Sequence, residues 1–259
     1  MPTVQQLYEL WADDSQLREA LKRSLEPRGL DSLYEAFAAL GPRPGELLLD
    51  AGAANAKHAI RLVQELGLRA IALEPLEVHR GLARAAIAEA GLDDEIDLVD
   101  GSIESIPLAA DAVDWIWCRD VLVHVDAGPG LAELARVLRP GGALLAYVTL
   151  ATDRLEPRER AELVGAMAIR TFDAETLEQA AADAGFTLRS VDRLGSEWRE
   201  RMVEDETWDA GDDLLEIARL RRGGYAGAEA DAVWGGLVWG VYQMLGKLCP
   251  TVYVWTCST

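Results

Sequence analysis

Leu47-Leu48-Leu49-Asp50-Ala51-Gly52-Ala53-Ala54-Asn55-Ala56 is the stretch that decides the fold. Three successive leucines follow the turn-forming block Gly41-Pro42-Arg43-Pro44-Gly45 and predict a fully buried strand. An acidic residue followed by small residues then predicts a tight turn that feeds a helix. Small side chains suit a turn whose backbone must approach a ligand at a helix N-terminus, where unpaired N–H groups point outward. The helix itself follows, with Ile60, Leu62, Val63 and Leu66 at helical spacing and Gly67 to close it.

Working outward, the same alternation repeats. Strands are predicted at 47–50, 69–74, 96–99, 113–118 and 143–149, and helices at 56–66, 78–90 and 130–138. Alternating elements of these lengths predict an α/β fold, a mainly parallel sheet with helices on both faces. Residues 3–25 read as one or two amphipathic helices, and Leu33 to Leu40 as another. After Leu150 a charged helix (151–168), a helix over 174–184 closed by Gly185 and a strand over 186–194 are expected. The block 196–247 is rich in tryptophan and tyrosine, lacks any β rhythm and reads as largely helical; a strand over 252–256 ends the pattern. The expected organisation is N-terminal cap helices over 1–40, a core over 41–195, a helical insertion or lid over 196–248, and the last core strand over 249–259.

The chain has 259 residues, half of them hydrophobic, enough for one α/β domain with additions. Its net charge of -19, from 44 acidic against 25 basic residues, argues against a nucleic-acid or anionic-membrane partner and favours a small molecule. Cys118, Cys249 and Cys257 lack metal-ligand spacing and read as reduced thiols, so no metal is expected. Neither a basic segment leading into an apolar one at the N-terminus nor a membrane-length apolar run occurs, which predicts a cytoplasmic protein.

The ligand of the first turn is narrowed by what is missing. From Gly52 the chain gives Gly-Ala-Ala-Asn-Ala-Lys, without the second and third glycines of a dinucleotide fingerprint, which disfavours NAD. Glu74, at the end of the second strand and 24 residues beyond Asp50, can accept both hydroxyls of a ribose. Taken alone, it is equally a solvated strand-end glutamate.

Residues 47–149 resemble the class I S-adenosylmethionine-dependent methyltransferases of the small-molecule, ubiquinone-biosynthesis-like group. The motifs that carry the resemblance are Leu48-Leu49-Asp50-Ala51-Gly52, Ala72-Leu73-Glu74-Pro75, Asp100 to Pro107, Val113 to Val125, and Leu134 to Gly142 with its Arg139-Pro140-Gly141-Gly142 ending. In the last of these Pro140 is expected to end a helix and the two glycines to reverse the chain into a strand. The resemblance implies a Rossmann-like sheet of seven strands, mostly parallel with the last antiparallel, plus a helical cap. It implies S-adenosylmethionine as cofactor and methyl transfer to oxygen, nitrogen or carbon of a small molecule.

Carried onto this sequence, the resemblance puts Gly52 and the backbone of Ala51 and Ala53 against the cofactor, with Glu74 on the ribose and Ile103 on the adenine. Cys118 and Arg119 would contact the methionyl part through their backbone, and Asp50, Pro75, Gly101 and Ser102 complete the set. Two departures stand out. Ala54 and Ala56 replace glycines, and Ser102 replaces the acidic partner of the adenine amino group, so a cofactor-binding protein that transfers no methyl group is the alternative reading.

An OH or NH acceptor needs a base. His124, just past the fourth strand, is the first candidate and Asp120 the second; the competing readings are a packed histidine and a helix N-cap. His58 and His79 read as surface residues. Tyr8, Trp11, Trp198 and Trp239 are candidates for an apolar acceptor wall, against the alternative that each is simply core.

Overall fold

The computed structural model describes residues 3–12, 15–16, 28–195, 198, 215, 218–219, 222–224 and 227–257. Its helices are α1 (Val4–Ala12), α2 (Asp31–Ala38), α3 (Lys57–Leu66), α4 (Glu77–Ala90), α5 (Ala127–Val137), α6 (Pro157–Met167), α7 (Ala174–Asp183) and α8 (Ala228–Met244). The strands are β1 (Leu47–Ala51), β2 (Arg69–Leu73), β3 (Ile96–Val99), β4 (Val113–Arg119), β5 (Leu138–Ala151), β6 (Phe186–Arg193) and β7 (Leu248–Cys257). They form one seven-stranded sheet in the order β3-β2-β1-β4-β5-β7-β6. β1 to β5 pair in parallel, and β7 runs antiparallel to both β5 and β6.

Both faces of the sheet's centre are covered, which is why β1, β2 and β5 read as near-continuous apolar runs rather than as alternations, whereas the edge strand β6 is mostly exposed. Leu49, Ile116, Leu144, Ala146 and Trp255 pack beneath α5, α6, α7 and α8 on one face. On the other, Leu48, Ala70, Trp117, Leu145 and Val254 pack beneath α2, α3 and α4. α2 belongs to this second layer: Phe37 is fully buried and lies edge-on to Trp115 and Trp117 at 6.0 and 5.7 Å between ring centroids. Trp115 and Trp117, two residues apart on β4, thus share the face turned toward α2. The Trp115 indole also donates to Glu46 at 2.8 Å.

The Arg139-Pro140-Gly141-Gly142 segment corrects one expectation. It is part of β5 itself, not a reversal ahead of a strand at 143. Leu138 pairs with Val113 and Ala143 with Trp115, so the extra residues bulge out of the ladder. Pro140 has no N–H to give there, Gly141 takes a φ of +81°, and a Cβ on Gly142 would stand 2.6 Å from the Asp114 carbonyl oxygen. The block between β6 and β7 holds α8, as the aromatic-rich sequence predicts, and the rest of that block lies largely outside the described residues.

Candidate active site

Parallel strands that start in register end together. Ala51 pairs with Leu73 and with Cys118, and Leu73 with Val99, so the loops after β1, β2, β3 and β4 converge on one edge of the sheet. This is the edge at which open α/β sheets bind their ligands. It brings together Asp50, Ala51, Gly52, Ala53, Glu74, Pro75, Gly101, Ser102, Ile103, Cys118, Arg119, Asp120 and His124.

The β1–α3 turn is built by three left-handed residues, Gly52, Ala54 and Ala56, with φ of +83°, +48° and +60°. Two of the three are alanines, and each carries the steric strain that a Cβ meets in this region. A Cβ on Gly52 would lie 2.2 Å from Val121 Cγ2, so the β4 loop closes directly over this position. The N–H groups of Gly52 and Ala53 donate to the Leu73 carbonyl, that of Ala54 to Glu74, and that of Ala56 to the Ala53 carbonyl. These four amides of the turn are therefore engaged within the protein. A turn with these amides spent and the Glu74 carboxylate behind it suits a cationic ligand better than a phosphate.

The two carboxylates here are Asp50 and Glu74. Asp50, on the α3 face of β1, accepts the Ala59 N–H at 3.1 Å and so caps a helix whose own N-cap, Ala56, has no side-chain oxygen. Burial pushes its carboxyl up to about 7; the Ala59 hydrogen bond and the Arg119 charge oppose the rise, and Glu74 adds to it. Glu74 is 4% exposed and spans two loops, accepting Ala54 N–H on Oε2 and Leu76 N–H on Oε1, each at 2.9 Å. His79 approaches Oε1 at 3.3 Å.

His58 overturns the surface assignment. It is buried, with Nδ1 2.5 Å from the Tyr34 hydroxyl and Nε2 2.8 Å from Arg119 Nη1. A guanidinium can only donate, so Nε2 is the acceptor and the ring proton sits on Nδ1. Burial first, then the charges of Arg119, Lys57 and Arg61, hold the imidazole down at about 3, so it is neutral. Burial likewise pushes the Tyr34 phenol up to about 12, against the pull of Arg61 and Arg119.

On the β4 loop, Asp120 takes a φ of +57° and its N–H donates to the Tyr147 carbonyl. It is not the helix N-cap; that position before α5 is Asp126. Asp120 lies 3.7 Å from Arg119 Nε and is substantially exposed. His124 ends a short 3-10 turn (Leu122–His124) and is exposed. Cys118 is buried, and burial raises its thiol pKa far beyond the reactive range. Ile103 is buried, with its Cδ1 3.2 Å from where a Cβ on Gly130 would stand. Ser102 is half-buried, and its carbonyl accepts the Ser105 N–H.

The aromatic candidates divide. Trp198 packs on Tyr147 at 5.6 Å, and Tyr147 lies opposite Arg119 in the β4–β5 ladder, so Trp198 reaches the site's flank. Trp239 stacks on Phe172 at 5.9 Å, within the layer of α8. Tyr8 is 65% exposed. The Trp11 side chain lies outside the described residues.

The arrangement also contains residues that sequence reasoning missed. His58 read as a surface residue and Tyr34 was not singled out, because their pairing joins residues of two helices 24 positions apart in sequence. Arg80, which ties the β2 and β3 loops together, follows no motif. Among the described residues, no group of three or more His, Cys, Asp or Glu gathers as metal ligands, and no helix is long and apolar enough to cross a membrane.

Comparison with known proteins agrees with this fold. Residues 49–146 match the family model described as "Methyltransferase domain". The dimethylglycine N-methyltransferase of Parasynechococcus marenigrum is 32% identical over 109 residues, 42% of this chain and 38% of that protein. An uncharacterized methyltransferase of Mycobacterium tuberculosis is 36% identical over 136 residues, 51% of each. The chain thus spans about half, or less, of the length of these relatives. Among solved structures, a candidate sarcosine dimethylglycine methyltransferase from Galdieria sulphuraria superposes with a TM-score of 0.71 at 20% identity, covering 93% of this chain and 88% of that one. A geranyl diphosphate methyltransferase in complex with SAM superposes with a TM-score of 0.65 at 16% identity, covering 87% and 84%.

Proposed function

We infer that this chain, whose residues 49–146 match the methyltransferase-domain family model, transfers a methyl group from S-adenosylmethionine to a small-molecule acceptor. The observation that carries the reading is the turn of Gly52, Ala54 and Ala56 with Asp50 and Glu74 behind it. Four of its amides are engaged and the Glu74 carboxylate stands behind it, which fits a ligand bearing an ammonium and a sulfonium.

S-adenosylmethionine would supply the activated methyl group. Glu74 would accept the ribose hydroxyls, and the loop of Gly101, Ser102 and Ile103 would flank the adenine. Backbone groups of Ala51, Gly52, Ala53, Cys118 and Arg119 would hold the aminoacyl part. Asp50 acts one step back, by fixing the N-terminus of α3. Val121, close over Gly52, and the buried Ile103 would help to exclude water from the site. His124, exposed on the rim after β4, is our candidate to take the proton of an OH or NH acceptor, with Asp120 as its alternative.

For the acceptor we favour a neutral or cationic small molecule, in keeping with the acidic chain. The relative named for dimethylglycine makes amines of the N-methylated amino-acid kind the first to try. We place the reaction in the cytoplasm, with no nucleic-acid partner, and assign α1, Trp198 and Trp239 with α8 to the cap over the acceptor.

The test is a methyl-transfer assay with isotopically labelled S-adenosylmethionine and a panel of small amines, alcohols and activated carbon acids, read by mass spectrometry. Transfer to any acceptor, lowered on the order of 100-fold by His124→Ala with cofactor affinity unchanged, is the expected result. Tight cofactor binding without transfer to any of them would favour the non-transferring alternative.

A further inference from the structure

Arg80 lies on the second turn of α4, its side chain 12% exposed, between the two loops assigned to the adenosine half of the cofactor. Its Nη1 stands 2.9 Å from the Glu74 carbonyl oxygen, 2.7 Å from that of Pro75 and 2.8 Å from Asp100 Oδ1. Nε and Nη2 donate to Glu77 Oε2 at 3.1 and 2.7 Å, which fixes the plane of the guanidinium from its own helix. One cation thus draws the carbonyls of the β2 loop and the carboxylate that starts the β3 loop to a single point.

The β3 loop is held at its far end as well. Ile106 N–H donates to Glu133 at 2.9 Å, and Arg136 donates to the carbonyls of Ile106 and Leu108 at 2.9 and 2.8 Å. At its near end a Cβ on Gly101 would meet Leu73 Cδ1 at 2.8 Å and Pro107 Cδ at 2.9 Å, so the loop is seated hard against the end of β2. Asp100 to Arg80 is the polar tie across that seam.

We propose that Arg80, with Asp100, is a positioning residue for the adenosine half of the ligand: it sets the separation between the Glu74 carboxylate and the Gly101–Ile103 loop without itself touching the ligand. The inference rests on the cofactor assignment made above. A planar fork is required, because one end must reach three oxygens while the other is pinned by Glu77; a lysine ammonium supplies the charge without the second anchor.

The experiment is calorimetric titration of the full chain, Arg80→Gln, Arg80→Lys and Asp100→Asn with S-adenosylhomocysteine and with 5′-methylthioadenosine, which carries the adenosine half alone. Ligand-free melting curves of each accompany it. Arg80→Gln and Asp100→Asn should weaken both ligands by the same factor, about tenfold, and Arg80→Lys should recover part of the loss. Because the Asp100 side chain is 70% exposed, Asp100→Asn retains the fold and decides the matter should Arg80→Gln not fold. A purely structural role would lower the melting midpoint and leave the dissociation constants of the folded protein unchanged. Folded variants that bind both ligands as the parent does, or that lose S-adenosylhomocysteine alone, would overturn the proposal. A parent chain that binds neither ligand would instead overturn the cofactor assignment beneath it.

Discussion

Glu74 Oε2 accepts the Ala54 N–H across 2.9 Å, so the residue assigned to the ribose is also the residue that ties β2 to the first βα turn. Its other oxygen takes the Leu76 N–H, at the entrance to α4. Glu74→Ala should therefore act twice. Loss of the carboxylate should weaken S-adenosylhomocysteine about 10- to 100-fold, and the two orphaned amides should cost about 1–3 kcal/mol of stability. Calorimetry and urea unfolding measure the two effects separately, and an unchanged affinity would remove Glu74 from the site.

The turn carries strain that can be relieved. Ala54 and Ala56 sit at φ of +48° and +60°, where glycine meets no Cβ penalty. Ala54→Gly and Ala56→Gly should each raise the free energy of unfolding by roughly 0.5–1 kcal/mol, the relief of strain exceeding the entropy that glycine adds to the unfolded chain. Urea titration reads the change directly; a loss of stability in both variants would contradict the strained geometry.

Asp50 gives the chain an unusual pH dependence. Its folded value, about 7, lies above the unfolded value near 3.9, so the folded state holds an extra proton between the two. The stability this contributes is fully present below about pH 4 and is lost as the pH rises through about 7. Asp50→Asn keeps an oxygen for the Ala59 N–H and removes the ionisation. Its stability relative to the parent should grow between about pH 4 and pH 8, and a difference that stays constant would show that the carboxyl ionises normally.

His58 has the opposite slope. Its folded value, about 3, lies below the unfolded value near 6.5, so its contribution is present above about pH 6.5 and is lost as the pH falls toward 3. In nuclear magnetic resonance its ring protons should show no titration between about pH 8 and pH 5, and a midpoint near 6.5 would contradict its burial. Tyr34→Phe leaves the Nδ1–H without its acceptor and should cost about 1–3 kcal/mol.

What the sequence disclosed and what it withheld separate along physical lines. The sheet was legible because apolar strand runs, helix-closing glycines and the strand–helix rhythm are local signals, and each of the seven strands overlaps its expected position, although β5 begins earlier, at Leu138. The motifs after β1, β2, β3 and β4 were legible because parallel register carries their ends to one edge. Arg139-Pro140-Gly141-Gly142 was recognisable as a motif but not as a bulge, since only pairing with β4 distinguishes the two. His58, flanked by Lys57 and Arg61, looked solvated; it is buried because Tyr34 comes from a separate helix to cover it. Arg80 was invisible for the same reason, as its acid partner lies 20 residues away on another loop.

The most direct test of the central claim is calorimetric titration of the purified chain with S-adenosylmethionine and, separately, with S-adenosylhomocysteine. Binding of both in the micromolar range, weakened by Glu74→Ala, is the predicted result: it would establish a functional cofactor site in a turn that holds Ala54 and Ala56 in place of glycine. No heat of binding from either ligand, in protein that melts cooperatively, would contradict it and would mean that this turn no longer holds the cofactor.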